Sequence, residues 1–144
     1  MTSEMPPACP LHGAGLDARS LVGRRIEGVV ASWHLYGEDD PEGPLDVWLM
    51  DEHGDAVLVT TGSDWCLILE ASAPHEGYEM AESGRVTVGP AGDETPLAAH
   101  LGEEILAVRE EYEPRTGRTA LELSFPTGGV RCDSWAGDLR LRPL

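Results

Sequence analysis

The sequence contains no lysine, asparagine or glutamine, and it has only one phenylalanine and three tyrosines in 144 residues. All ten basic residues are therefore arginine. The absence of lysine excludes Schiff-base catalysis and phosphate binding by a P-loop, because both need a lysine amine. The lack of lysine and asparagine also resembles the codon bias of a GC-rich bacterial genome, which concerns origin and not function.

Signals for export or membrane insertion are missing as well. The first ten residues have neither the basic nor the apolar stretch of a signal peptide. No later stretch reaches the ~20 apolar residues of a membrane span. The cysteines, Cys9, Cys66 and Cys132, are an odd number without framework spacing, so free thiols are expected. We therefore predict a cytoplasmic protein in which Cys66 and Cys132 are buried as small hydrophobic residues.

No motif for catalysis, metal binding or nucleotide binding is complete. Cys9 and His12 form half of a zinc-like pair without a second pair, and the acidic turn around His53 lacks the order of a calcium loop. Ser63 and Ser134 do not stand in a Gly-x-Ser-x-Gly context. We therefore predict no catalytic residue, no metal and no cofactor, and the balance of the sequence is against an enzyme.

Negative charge dominates the composition. There are 26 Asp and Glu residues against ten Arg, which gives a net charge of −16 and an isoelectric point of about 4.4. Nucleic-acid binding needs a concentrated basic patch, whereas the arginines here are scattered along the chain. Adsorption to anionic membranes is disfavoured for the same reason. The sequence therefore predicts neither a nucleic acid nor a membrane as partner.

Two stretches of the chain begin alike, one from Gly23 to Val29 and the other from Gly102 to Val108. Each has glycine, two charged residues, isoleucine, two further residues and valine. Each is followed by an alternating run, a turn, a second extended run and a tryptophan, which is Trp65 in the first copy. This shared order predicts an internal duplication.

The predicted fold class is all-β with short helical turns, as a single-domain β-sandwich or partly open barrel built from two similar halves. The predicted boundaries are a flexible N-terminal lead-in over residues 1–15 and a single β domain over 16–144, with its first half at about 16–70, a connector over 71–96 and its second half over 97–144. A competing interpretation is an α-helix from Pro96 to Tyr112 with Thr95 as its N-cap. The parallel with the first copy favours a turn followed by a strand.

The tryptophans divide into two pairs. Trp65 and Trp135 follow Ser/Asp pairs at corresponding places, and a domain with few other aromatic residues is expected to use them in its core. Trp33 and Trp48 flank an acidic run, for which a solvated loop is the alternative interpretation. Aromatic anchors rimmed by carboxylates are typical of a surface that binds a basic protein. The candidate partner-binding residues are Trp33, Glu38, Asp39, Asp40 and Trp48.

In size, acidity and all-β pattern the chain resembles small bacterial immunity proteins, which neutralise basic toxins such as nucleases. The resemblance is one of general character and transfers no functional residue. It implies a non-catalytic acidic binding module that docks a basic protein partner.

Two other hypotheses remain open. One is a small-ligand-binding or hydrolytic β domain that uses the cleft between the two halves, with Ser63, Asp64, Asp133 and Ser134 as its polar groups. The other is self-association through strand edges as a homodimer.

Overall fold

The computed structural model describes residues 15–36, 43–62, 64–92, 95–135 and 137–144. This part of the chain is mostly extended, with short 3-10 helices at Ala18–Leu21, Ala81–Ser83 and Pro96–His100. Its strands are β1 (Ile26–Leu35), β2 (Asp46–Asp51), β3 (Ala56–Thr61), β4 (Leu67–Ala71), β5 (Tyr78–Glu79), β6 (Arg85–Pro90), β7 (Ala107–Glu113), β8 (Gly117–Phe125), β9 (Gly128–Trp135) and β10 (Asp138–Pro143). The all-β fold class is confirmed. The predicted lead-in, apart from Gly15, lies outside the described residues.

The strands form two antiparallel sheets. Sheet 1 has the order β4-β3-β2-β1-β6-β5, and sheet 2 has the order β10-β9-β8-β7. Ala31 of β1 lies opposite Val47 of β2, and Leu121 of β8 lies opposite Cys132 of β9. Because β6 pairs with the other side of β1, the short β5 is left at one edge of sheet 1.

One hydrophobic core lies between the sheets. Successive side chains of a strand point to opposite faces, so every second residue of the central strands faces this core. The buried residues are Ile26, Val29, Ala31, Val47, Leu49, Val57, Val59, Leu67 and Leu69 from sheet 1, and Leu121, Leu123, Phe125, Val130, Cys132 and Leu139 from sheet 2. Each fully buried Val, Leu or Ile contributes about 1.5–3 kcal/mol to stability. Aliphatic side chains therefore fill most of the interior.

The two halves have the same order of elements. A 3-10 helix is followed by a four-stranded meander, β1 to β4 in the first half and β7 to β10 in the second. Gly23 and Gly102 follow the two 3-10 helices, with φ of +93° and +84°. Glycine adopts this left-handed conformation without the steric cost that a Cβ brings.

Reciprocal backbone hydrogen bonds join the halves. The N–H of Gly23 donates to the carbonyl of Ile105 at 2.8 Å, and the N–H of Gly102 donates to the carbonyl of Ile26 at 2.7 Å. Donor and acceptor are exchanged between equivalent positions of the two copies. The duplicated motif therefore pairs with its own copy.

The neighbouring residues continue this exchange. The amides of the two isoleucines donate to the carbonyls of Glu103 and Arg24 at 3.0 and 2.8 Å. Between them Arg25 and Glu104, which are equivalent positions of the two copies, form an isolated antiparallel bridge. A local twofold axis therefore passes between Arg25 and Glu104, and we call this junction the seam.

The segment from 96 to 112 is a 3-10 helix followed by a strand. The helix ends at His100 because Leu101 is extended and Gly102 is left-handed. Extended chain resumes in β7 at Ala107. The α-helical interpretation is therefore wrong, and the turn plus strand is confirmed.

Candidate functional site

The structure buries one of the two tryptophans expected to anchor a partner. Trp48 lies on the outer face of sheet 1, but it is only 1% exposed. His75 of the connector covers it in an edge-on contact, with ring centroids 5.1 Å apart. Trp33 is half-buried against the core. Trp48 therefore offers no ring to a partner, contrary to the expectation from the sequence. Glu38, Asp39 and Asp40 lie outside the described residues.

Other side chains are exposed near the end of β1. Tyr36 follows β1 directly and is exposed, as are Tyr78 and Met80 of the connector. A Cβ built on Gly84 would lie 3.2 Å from the Cα of Tyr36, so the turn after Met80 packs beside that tyrosine. The exposed carboxylates Glu79 and Glu82 belong to the same turn region. Tyr78 and Glu79 are consecutive in β5 and point to opposite sides of this edge, so the exposed residues surround the end of sheet 1. We call Tyr36, Tyr78, Met80, Glu79 and Glu82 the acidic patch.

Negative charge predominates in the parts of the sequence that contain the acidic patch. Residues 36–46 and 75–85 together contain eight carboxylates and one arginine, Arg85. The predicted run Glu38, Asp39 and Asp40 follows Tyr36 in the chain. In sequence, the two stretches that contain the acidic patch therefore carry negative charge that is scarcely compensated by arginine.

The residues expected to line a cleft between the halves do not converge. Asp133 and Ser134 are consecutive in β9, so their side chains lie on opposite faces of sheet 2. Asp133 binds arginines on the outer face, whereas the hydroxyl of Ser134 is buried and has no hydrogen-bond partner within the described ranges. Asp64 lies in the loop after β3, and Ser63 is outside the described residues. The arrangement gives no common site for these four residues.

Asp133 is the centre of an ion-pair network on the outer face of sheet 2. It accepts hydrogen bonds from Arg131 at 3.1 Å and from Arg140 at 2.8 and 2.9 Å. Burial alone would raise the pKa of Asp133, but these arginines outweigh it and hold the pKa below its usual range. Glu111 and Glu122 accept from Arg131 in the same network. The carboxylates of this face are therefore already neutralised by the chain's own arginines.

Trp65 and Trp135 lie on the surface, so their predicted place in the core is wrong. They are 59% and 62% exposed. Trp65 lies in the loop between β3 and β4, and Trp135 ends β9 on the outer face of sheet 2. The core does not need them because aliphatic residues fill it. The nearby turn residues Gly62 and Gly137 were the signal in the sequence that Trp65 and Trp135 lie in a loop and at a strand end, not in the middle of a strand.

Two polar clusters have the composition of catalytic sites but not the geometry. On sheet 1, the Asp46 carboxylate accepts from Ser32 Oγ at 2.7 Å and lies 3.5 Å from His75 Nε2. The carboxylate thus stands between hydroxyl and imidazole, whereas a nucleophilic triad needs the imidazole in the middle. In addition, Ser32 is completely buried.

The second cluster surrounds His100, whose ring stacks on Phe125 at 4.5 Å. Thr127 Oγ1 and Glu103 Oε1 both approach the same ring nitrogen, Nδ1, at 3.2 and 3.4 Å. A proton relay needs partners on both ring nitrogens. This cluster therefore anchors the turn after β8 and does not form a triad.

The remaining groups with chemical potential are the cysteines and the side chains that could bind a metal. Cys66 and Cys132 are buried, as predicted, and burial next to Asp133 raises the pKa of Cys132 to about 12. Such a thiol is unreactive at neutral pH. Within the described ranges, no group of three or more His, Cys, Asp and Glu side chains is arranged to hold a metal ion.

Comparison with known proteins gives no relative on which to rest a function. No protein-family model, no curated protein and no solved structure matches the chain. Among the described residues, no helix combines the length and the apolar character needed to cross a membrane.

Proposed function

We propose that the protein is a non-catalytic binding module of the immunity or inhibitor type, which docks a basic protein through the acidic patch and the adjoining run Glu38, Asp39 and Asp40. The observation that carries the proposal is the exposure of Tyr36, Tyr78 and Met80 among carboxylates that are scarcely compensated by arginine. Exposed aromatic residues in such a setting are typical of interface anchors.

The contrast with sheet 2 supports this choice of surface. There the carboxylates are already bound by Arg109, Arg131 and Arg140, so that face attracts a cationic partner weakly. Uncompensated carboxylates instead accelerate encounter with a basic protein, in a way that salt screens. We also propose that the protein lies in the cytoplasm, where reduced cysteines such as Cys132 are typical.

The test begins with affinity capture from a lysate of the source organism at low and at high salt, followed by purification of any basic protein that is captured. Its association rate is then measured against the wild-type chain and the triple variant E38Q/D39N/D40N. We expect the variant to slow association about tenfold at low salt, because steering by this charge is lost.

A matched control is the triple variant E27Q/E52Q/D55N, which changes the net charge equally. Its residues are exposed at the opposite end of sheet 1, at the start of β1 and in the turn between β2 and β3. We expect a much smaller change in rate. Equal effects of the two variants, or a captured partner whose binding is indifferent to salt, would contradict the proposal.

A further inference from the structure

Trp65 and Trp135 flank one contact between the two sheets. The hydroxyl of Thr61, at the end of β3, donates to the carbonyl of Gly137 at 2.7 Å. A Cβ on Gly137 would lie 3.2 Å from Cδ1 of Trp65, so the indole rests directly on the glycine backbone. Trp135 ends β9, two residues before Gly137 in the chain. We call Trp65, Trp135 and Gly137 the tryptophan rim.

The exposure and the backbone conformation of the tryptophan rim are energetically unfavourable. Both indoles expose more than half of their surface, although these are the largest apolar side chains of the chain. Trp65 also has φ of +69°, a left-handed conformation that a bulky residue rarely adopts. Backbone strain and exposed aromatic surface at one place are typical of a binding surface, where the cost is offset by a ligand.

A contact within the chain indicates which chemical group an exposed indole of the rim binds. The guanidinium of Arg140 lies 4.2 Å from the ring centroid of Trp135, and the same guanidinium donates to the Asp133 carboxylate. This is an arginine held by an indole face and a carboxylate together. Planar guanidinium groups stack on aromatic rings in a way that lysine ammonium groups do not.

The same pair of groups is repeated at the rim. Asp138 lies opposite Trp135 in the pairing of β9 with β10, and it is exposed. An exposed carboxylate therefore stands beside the indole of Trp135 at the rim. The rim is a place where a guanidinium from outside can repeat the contact that Arg140 makes within the chain.

The rim also lies at the end of the sandwich that carries the acidic patch. The antiparallel order of sheet 1 brings the end of β1, the start of β2 and the loop between β3 and β4 to one end. The turn at Gly137 joins that end through its contact with Thr61. A basic protein docked on the acidic patch is therefore in reach of both indoles.

We propose that the tryptophan rim is a receptor for arginine side chains of the basic partner, an inference that rests on the proposed function and names the chemistry it recognises. The acidic patch supplies long-range attraction, which does not distinguish arginine from lysine. The rim selects arginine, because only the planar guanidinium stacks on the exposed indole surface of Trp65 and on the part of Trp135 that Arg140 does not cover.

Nuclear magnetic resonance tests the inference without an identified partner. The chain has four tryptophans, so its ¹⁵N-labelled form gives four indole N–H signals, which the variants W65F and W135F assign. The probes are octa-arginine and octa-lysine, which carry the same charge. We expect octa-arginine to shift the signals of Trp65 and Trp135 and to leave those of Trp33 and Trp48 in place.

Affinity gives the second readout. In the double variant W65A/W135A we expect octa-arginine to bind about tenfold more weakly and octa-lysine to bind almost unchanged. Thermal unfolding of the variant confirms that it is folded, as surface positions allow. Equal loss for both peptides, or octa-arginine binding that leaves both rim signals unmoved, overturns the rim as an arginine receptor while acidic docking stands. If neither peptide binds at low salt, the proposed function itself falls.

Discussion

The first half of the chain, residues 16–70, contains 12 carboxylates and three arginines, whereas the second half, residues 97–144, contains eight carboxylates and six arginines. Both nevertheless form a 3-10 helix, a left-handed glycine and a four-stranded meander. The positions that match are those of the turn glycines and the core aliphatics. The fold therefore depends on these positions, and surface charge is free to diverge.

The divergence gives the halves different electrostatic roles. In the second half, arginines on neighbouring strands neutralise carboxylates, as Arg131 does for Glu111, Glu122 and Asp133. In the first half and the connector, most of the carboxylates that the structure describes are exposed to solvent. The second half thus uses its charges in internal ion pairs, whereas the described carboxylates of the first half are mostly exposed to solvent.

Among the substitutions that test the equivalence of the halves, truncation of a core isoleucine at the seam has the largest expected effect on stability. Ile26 and Ile105 are 2% and 0% exposed. We expect Ile26→Ala and Ile105→Ala each to lower the free energy of unfolding by about 3 kcal/mol, since each leaves a cavity. Urea denaturation measures this. The exposed Val22 and Leu106 are controls, for which replacement by alanine costs less than about 0.5 kcal/mol. Costs for the two isoleucines that differ severalfold would deny the equivalence.

The ion-pair network around Asp133 belongs to the second half. The substitution Asp133→Asn tests how much this network contributes to stability. We expect a loss of about 2 kcal/mol at neutral pH, because charge-assisted hydrogen bonds from Arg131 and Arg140 are weakened. The folded pKa of Asp133 is depressed, so its stabilisation is complete above the unfolded pKa of about 4 and is lost as pH falls through the folded value.

The pH profile of unfolding therefore carries the second part of that prediction. The difference between wild type and Asp133→Asn shrinks as the solution is acidified below about pH 4. Asp138→Asn, at an exposed carboxylate of the neighbouring strand, is the control and changes stability little. A difference that persists unchanged in acid contradicts the role given to the Asp133 charge.

The smallest effects concern the two seam glycines. A Cβ on Gly102 meets no described atom within 4 Å, and one on Gly23 meets only Glu104 Oε1 at 3.8 Å. Replacement by alanine therefore costs only the backbone strain of a positive φ, about 1 kcal/mol at each position. Gly89→Ala is the matched control, because it has equal space and no positive φ. Urea midpoints that fall equally for Gly89→Ala would remove the conformational explanation.

Much of the fold was accessible from the sequence because repetition and alternation are properties of local pattern. The recurrence of Gly23 and Ile26 as Gly102 and Ile105 predicted two halves, and the turn plus strand over 96–112 followed from that parallel. The seam was not predictable, since no local pattern states that a motif pairs with its own copy.

The site was predictable only in part, because burial depends on what covers a face. Trp48 stands between Val47 and Leu49 in β2, and Trp65 follows Asp64 in a loop. Trp48 is buried because His75, far along the chain, folds over it, whereas the loop position of Trp65 leaves its ring outside. Charge, in contrast, is additive along the chain, and so the excess of carboxylates was evident from composition alone.

The bridge between Arg25 and Glu104 also governs which halves can recognise each other. If two copies of the first half met across this axis, arginine would face arginine, and two copies of the second half would set glutamate against glutamate. Like charges directly opposite in an antiparallel pair repel. The opposite charges of Arg25 and Glu104 therefore favour the pairing of a first half with a second half over the pairing of two identical halves. A single covalent chain supplies both complementary halves in equal number, so each molecule contains both members of its own bridge.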